Sequence, residues 1–280
     1  MCLLCLCGTI LKYFRVRNAK MICVRFWPVI DKWPIVVPGM PGKRKRNVYV
    51  YVPDFAEEGM RFPVLYMFDG HNVFFDSDAT YGKSWGMKEY LEDTQTPMIV
   101  VAVECNHGKN YARLKEYAPY SFGRGADEIK GKGRHYMEWL TGTLMPYINE
   151  KYPTLTAREH TWIAGSSMGG LMSLYAVLAF NDIFSRAACL SPSLWTAPEQ
   201  LLDLVKNTSL HPETMVYMDY GAREMGNHPM TKSCLLKMCS ALLEKDVLTT
   251  CRIVPNGDHC EGCWEEQIPF FMNTLNYWRE

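Results

Sequence analysis

Several things are missing from this 280-residue sequence, and each absence narrows what it can be. It has no run of about 18 apolar residues, so no segment reads as a membrane-spanning helix. It has no excess of one charge: 30 Lys and Arg stand against 30 Asp and Glu, which argues against a nucleic-acid binder over its whole surface. It has no internal repeat and no low-complexity linker. With 48% hydrophobic and 21% charged residues, a disordered chain, a coiled coil and a collagen-like repeat are also excluded.

The eleven cysteines do not form a disulfide framework. Their number is odd, and several sit inside apolar runs, such as Cys189 in Ala187-Ala188-Cys189-Leu190, where a reduced thiol acts as a small hydrophobe. This usage fits a reducing compartment, hence a cytoplasmic location. The charge is unevenly spread. Residues 1–46 hold ten Lys and Arg against one acid, Asp31, and the rest of the chain is acidic to the same degree. Met1–Gly8 is apolar and Cys-rich, but no basic stretch precedes it, so the order of a secretory signal is not met. Residues 1–40 read as an N-terminal extension that can stand outside the fold, with Met21 as a second possible start, and residues 41–280 as the folded domain.

From Asn47 onward, β-rich runs alternate with helical patterns. Asn47–Pro53 alternates with period two, as in a half-exposed strand. Pro63–Phe68 and Met98–Val103 are continuous apolar runs, as in strands buried on both faces. His160–Ala164, Ala187–Leu190, Met215–Met218 and Thr249–Val254 continue the series. Helical patterns fall near Gly86–Glu92, Tyr136–Glu150, Gly169–Ala179, Pro198–Val205, Met230–Lys245 and Cys263–Trp278. This alternation predicts an α/β fold with a mostly parallel sheet covered on both faces. Asn106–Gly133 is the least regular stretch and is expected to help shape a binding site.

The sharpest chemical signal is Gly165-Ser166-Ser167-Met168-Gly169-Gly170, placed between a strand and a helix. G-x-S-x-G in that context is a nucleophile elbow: a tight turn lifts the serine hydroxyl out of the sheet, and glycines let strand and helix approach. Ser167 is the predicted nucleophile, and the N–H of Met168 at the helix start a predicted oxyanion donor. A serine needs a base. Of the histidines after Ser167, His211 and His228 lie in polar turns. His259 follows the last strand, where the base belongs, and is preferred. Between serine and histidine the acid follows Met215–Met218, where Asp219 and Glu224 compete about equally on position. The second oxyanion donor follows an early buried strand, which favours the N–H of His71, with Asn72 next. Ser191–Trp195 and the irregular stretch are expected to wall the pocket, bringing Trp195, Arg113 and Tyr117 to the substrate, with Asn72 beside the oxyanion turn.

GSSMGGLMSLYA, Phe184–Trp195, the turn Tyr220–Glu224 and HCEGCW from His259 to Trp264 resemble the putative-esterase family of α/β-hydrolases. The resemblance covers about Asn47 to Arg279 and is nearer the siderophore (enterochelin esterase-like) and carbohydrate (feruloyl and acetyl-xylan) esterases than the formylglutathione hydrolases. It implies the α/β-hydrolase fold and a serine carboxylic-ester hydrolase acting on short-chain, aryl, siderophore or carbohydrate esters, with no cofactor and no metal. It assigns the acid, three residues after the turn glycine, to Glu224, although a glutamate there departs from the usual aspartate and keeps Asp219 in play. It also points to His259, Glu261 and Trp264 as an H-x-E-x-x-W pattern. The rivals are an acyltransferase with the same triad and a non-catalytic relative that only binds. The expected partner is a small-molecule ester, with neither nucleic acid nor membrane, and nothing in the sequence sets the oligomeric state. Two features compete for other roles. Cys260-Glu261-Gly262-Cys263 beside His259 is a single C-x-x-C, short of the paired motifs of a structural zinc site. Lys43-Arg44-Lys45-Arg46 reads as a solvated turn before the first strand.

Overall fold

The computed structural model describes residues 30–277 except Lys43, and the backbone alone of three N-terminal strands. These strands, β1 (Leu3–Leu6), β2 (Thr9–Phe14) and β3 (Ile22–Phe26), form a small antiparallel sheet of their own. Met21, the second possible start, lies outside the described residues.

The main sheet contains β4 (Ile30–Val36), β5 (Lys45–Tyr51), β6 (Val64–Met67), β7 (Ile99–Val103), β8 (Thr161–Ser166), β9 (Arg186–Leu190), β10 (Met215–Gly221) and β11 (Leu248–Val254). Their order is β11-β10-β9-β8-β6-β7-β5-β4. From β11 to β7 the pairing is parallel, and β5 and β4 add antiparallel at the far edge. The central strands β6, β7, β8 and β9 are buried on both faces, which explains their unbroken apolar sequences.

The strand β4 lies inside the segment that the sequence reading assigned to the extension, so the sheet begins at Ile30. Asp31, Lys32 and Pro34 hide it from pattern reading, because polar residues and proline normally demote a run to non-strand. At an edge they are tolerated, and charged side chains there also block pairing with another chain. Asp31 accepts from Lys151 Nζ at 2.8 Å and from the Tyr152 hydroxyl at 2.7 Å, which ties the edge to the body. The basic run is corrected in a similar way. Arg44 and Lys45 are exposed as expected, but Lys45 opens β5 and Arg46 is fully buried against Glu116, 2.6 Å away, so the end of the run is strand and not solvated turn.

The helices are α1 (Met87–Asp93), α2 (Ala112–Glu116), α3 (Gly133–Trp139), α4 (Met145–Lys151), α5 (Met168–Ala179), α6 (Pro198–Asn207), α7 (Thr231–Leu243), α8 (Glu261–Glu266) and α9 (Ile268–Leu275). A π turn at Leu140–Leu144 joins α3 to α4. One face of the sheet packs Val50, Tyr66 and Ile163 against residues of α3 to α7. The other packs Tyr49, Leu65 and Trp162 against α1 and α9. The neighbours Trp162 and Ile163 therefore face opposite layers, as the period of a strand requires. Helix α5 is buried from Met168 to Leu178, as expected for an apolar helix beneath the sheet centre.

Candidate active site

Successive strand ends build the site. Three adjacent parallel strands end in non-glycine residues with positive φ: Asp69 after β6 (54°), Ser167 after β8 (58°) and Ser191 after β9 (44°). Such backbone strain costs on the order of 1–3 kcal/mol per residue and persists only where the surroundings hold it. Ser167 is held by its N–H to Leu190 O at 2.9 Å and by the Ser193 N–H on its own carbonyl at 3.1 Å. The turn is feasible because strand and helix nearly touch: a Cβ on Gly165 would meet the Gly169 carbonyl carbon at 2.7 Å. As the first residue of α5, Met168 has a backbone N–H with no acceptor inside its helix.

The candidate acid and the candidate base come from the next two strand ends. Glu224 lies on the turn Ala222–Gly226 after β10, and His259 on the turn after β11. These turns interlock. A Cβ on Gly221 would lie 2.3 Å from Gly257 O, and the Arg223 N–H donates to that same oxygen at 3.1 Å. Glu224 Oε2 accepts from His259 Nδ1 at 2.7 Å. Its Oε1 accepts from the Ser191 hydroxyl and from the Gly221 N–H, both at 2.5 Å. Burial alone would raise the Glu224 carboxyl, but these hydrogen bonds outweigh it and hold the group below the usual glutamate range. The Trp264 indole donates to Ser191 Oγ at 3.1 Å and meets the His259 ring edge-on at 5.1 Å, which places the tryptophan of the H-x-E-x-x-W pattern behind the pair.

Asp219, the other candidate for the acid, does not meet His259. It is 1% exposed at the end of β10, accepts from the Tyr217 hydroxyl at 2.8 Å and has no hydrogen bond to His259. Burial pushes its carboxyl up to about 6, against the Tyr217 and Ser191 hydrogen bonds. One carboxylate therefore faces the histidine and stays ionised, while the other braces the strand end.

On the other side of Ser167, the turn Gly70–Asn72 follows Asp69. Burial would raise the Asp69 carboxyl, but a two-toothed pair with Arg113, at 2.7 Å through both oxygens, holds it low. Arg113 is thus occupied in bracing the turn. Asn72 is occupied as well, donating to Glu261 at 3.1 Å and accepting from the Thr80 N–H at 3.0 Å. Tyr117 is fully buried, with its hydroxyl accepting from the Asp69 N–H at 3.2 Å. None of these three residues lines the cavity: Asn72 is spent on Glu261 and Thr80, and Arg113 and Tyr117 on Asp69. Burial lowers His71 to about 4, so its ring is neutral.

A cavity of about 310 Å³ opens over Ser167, Glu224 and His259. Trp195 lines it as expected, 37% exposed, stacked on His228 at 4.5 Å and meeting Phe122 edge-on. The remaining lining includes Tyr220, Asn227, His228 and Thr231, which sequence reasoning missed as wall residues. His228 was weighed only as a base, and its place beside Pro229 in a polar turn gave no sign that it would lie under an aromatic ring. Cys260 and Cys263 have free thiols and form no metal-ligand cluster with His259 among the described residues. Also among the described residues, no helix is long and apolar enough to cross a membrane.

This arrangement has counterparts among known proteins. The family model described as Putative esterase matches residues 40–269. The chain belongs to this family. As a member of the Putative esterase family it is a carboxylic-ester hydrolase. The chain is 25% identical over 187 residues to Uncharacterized protein YbbA of Bacillus subtilis (strain 168), a match covering 65% of this chain and 70% of that protein. It is 26% identical over 181 residues to Apo-salmochelin esterase of Escherichia coli O6:H1, covering 61% of this chain and 53% of that one. Siderophore hydrolase EstB from Aspergillus nidulans shares the fold with a TM-score of 0.65 at 17% identity, over 90% of this chain and 97% of that structure.

Proposed function

We infer that Ser167, His259 and Glu224 act as a catalytic triad on small esters, and that Met168 and His71 donate backbone N–H groups to the oxyanion. The observation that carries this reading is the 2.7 Å bond from His259 to a buried Glu224, at a cavity that Ser167 also lines. Ser167 Oγ attacks the ester carbonyl while His259 takes its proton. The negative charge that develops on the carbonyl oxygen falls to the two N–H groups. His259 then returns the proton to the leaving alcohol, and water repeats the sequence to release the acid. Throughout, Glu224 orients the imidazole and stabilises its charged form.

The substrate reading is a short-chain or aryl ester, with a siderophore ester within that class. A wall of Trp195 and His228 offers aromatic surface to a planar group, with Phe122 packed edge-on behind Trp195. The cavity is at the small end for ligand sites, which suits a compact acyl group better than a long tail. Relatives named as a salmochelin esterase and a siderophore hydrolase agree with that class. The buried free thiols of Cys105, Cys189 and Cys234 fit a reducing, cytoplasmic setting. The test is kcat/KM over a series of p-nitrophenyl and aryl esters. It is expected to peak at short or aryl acyl groups and fall beyond about eight carbons. A value that climbs steadily to the longest chains would overturn the substrate assignment.

A further inference from the structure

Strands β6 and β7 are parallel neighbours, so the turns that follow them meet at the same end of the sheet. The first turn carries His71; the second carries Cys105 and His107. One ring nitrogen from each histidine and the Cys105 sulfur lie within 4.8 Å of one another, and the two rings meet edge-on at 4.4 Å. His71 and Cys105 are 5% and 3% exposed, whereas the His107 side chain is 38% exposed and gives the cluster an opening to solvent.

The surroundings of the cluster are those of a ligand set. His71 Nε2 bonds to Thr80 Oγ1 at 2.9 Å, while its Nδ1 is buried with no hydrogen-bond partner. A buried ring nitrogen is seldom left unpaired, and with Nε2–H donating to Thr80 this one has a lone pair free for a cation. His107 Nε2 lies 3.2 Å from Glu104 Oε1. Glu104 Oε2 is itself fixed by the Asn47 N–H at 2.7 Å. A hydroxyl on one histidine and a carboxylate on the other are the outer partners that orient metal-binding imidazoles. Two imidazoles and a thiol select a borderline or soft divalent ion, zinc above all, over calcium or magnesium.

We propose that His71, Cys105 and His107 form a binding site for a zinc-class divalent ion between the turns that follow β6 and β7. Ligand atoms at roughly 2.0–2.3 Å from a tetrahedral zinc stand about 3.3–3.8 Å apart, so the cluster closes by about 1 Å on binding. The half-exposed His107 supplies that movement by turning its side chain. The Cys105 thiol now lies beside the Asp69 carboxylate, which favours its protonated form. On binding, its S–H bond gives way to an S–metal bond and the proton passes to solvent. The fourth position, on the His107 side, stays open to water. An ion bound to the His71 ring also fixes the turn that carries the His71 N–H, so the ion slows ester hydrolysis. This last effect rests on the oxyanion reading of His71; the binding does not.

The experiment titrates cobalt(II) into the purified full chain and follows the thiolate-to-cobalt charge-transfer band, then displaces the cobalt with zinc. One equivalent is expected to bind with that band and to be displaced by zinc. Cys105→Ser is expected to lose the band, and His107→Ala, a half-exposed position that leaves the core intact, to weaken binding about tenfold or more. A wild-type protein without the band, a Cys105→Ser protein that keeps it, or unchanged affinity in His107→Ala overturns the proposal. Turnover measured in the same samples separates the two readings. Binding that slows hydrolysis supports both; binding without slowing upholds the site and counts against His71 as oxyanion donor.

Discussion

Glu224 and Asp219 show how much environment, over and above residue type, decides a role. Both are buried carboxylates near the end of β10. Glu224 collects a serine hydroxyl, a backbone N–H and a histidine, while Asp219 collects a tyrosine and the end of its strand. Glu224→Gln is therefore expected to lower kcat by on the order of 10⁴, the scale for loss of a triad acid, and Asp219→Asn by about tenfold or less. The reverse order in steady-state kinetics would move the acid role to Asp219. Asp219 has a separate pH signature. Its folded value, about 6, lies above the ordinary 3.8, so the folded state binds more protons and loses stability as pH rises between them. At about 1.4 kcal/mol per pKa unit the loss is about 3 kcal/mol. Urea unfolding from about pH 4 to about pH 6 is expected to show that decline in the wild type and not in Asp219→Asn. Parallel curves would show that burial does not perturb Asp219.

At the scale of elements, the site depends on how closely turns approach. Gly221 has an ordinary backbone, so alanine could adopt its conformation. The obstacle is space, since the added methyl meets the backbone of Gly257 and Asp258. Gly221→Ala must push the His259 turn away from the Glu224 turn. A displacement of about 1 Å in a catalytic group costs about 10²-fold, so kcat should fall by that order while the protein remains folded. Near wild-type kcat would show that the two turns are not held by this contact. The elements themselves were largely legible: the apolar runs of β6 and β7, the β8–elbow–α5 sequence and the paired loops after β10 and β11 all carry local signals. The strand β4 was not, because Asp31, Lys32 and Pro34 obey the rules of a sheet edge, which single-strand periodicity does not register. Asn106–Gly133 misled for a related reason. Its Tyr117, Arg113 and Glu116 have the polarity of a binding wall, yet they are spent on Asp69 and Arg46. Those partners are distant in the chain and invisible to local pattern.

Across the whole molecule, the sheet brings the ends of five parallel strands to one edge, and the chemistry is distributed over them. β6 brings the His71 turn, β8 brings Ser167, β9 brings Ser191, β10 brings Glu224 and β11 brings His259. The proposed nucleophile and base could be read from sequence because each follows a recognisable strand in a fixed order, whereas Asp219 and Glu224 could not be told apart by position alone. The far wall could not be read either, because Asn227, His228 and Thr231 reach the cavity from a turn after β10 that has no pattern of its own. On the proposed function, the sheet serves to present Ser167 to an ester. Ser167→Ala removes one hydroxyl at the cavity and leaves the core unchanged. The decisive measurement is hydrolysis of a short p-nitrophenyl ester by this variant, alongside its thermal unfolding. The account predicts an unchanged melting temperature and a loss of turnover of about 10⁶-fold; a folded variant that retains more than about a tenth of wild-type turnover would contradict it.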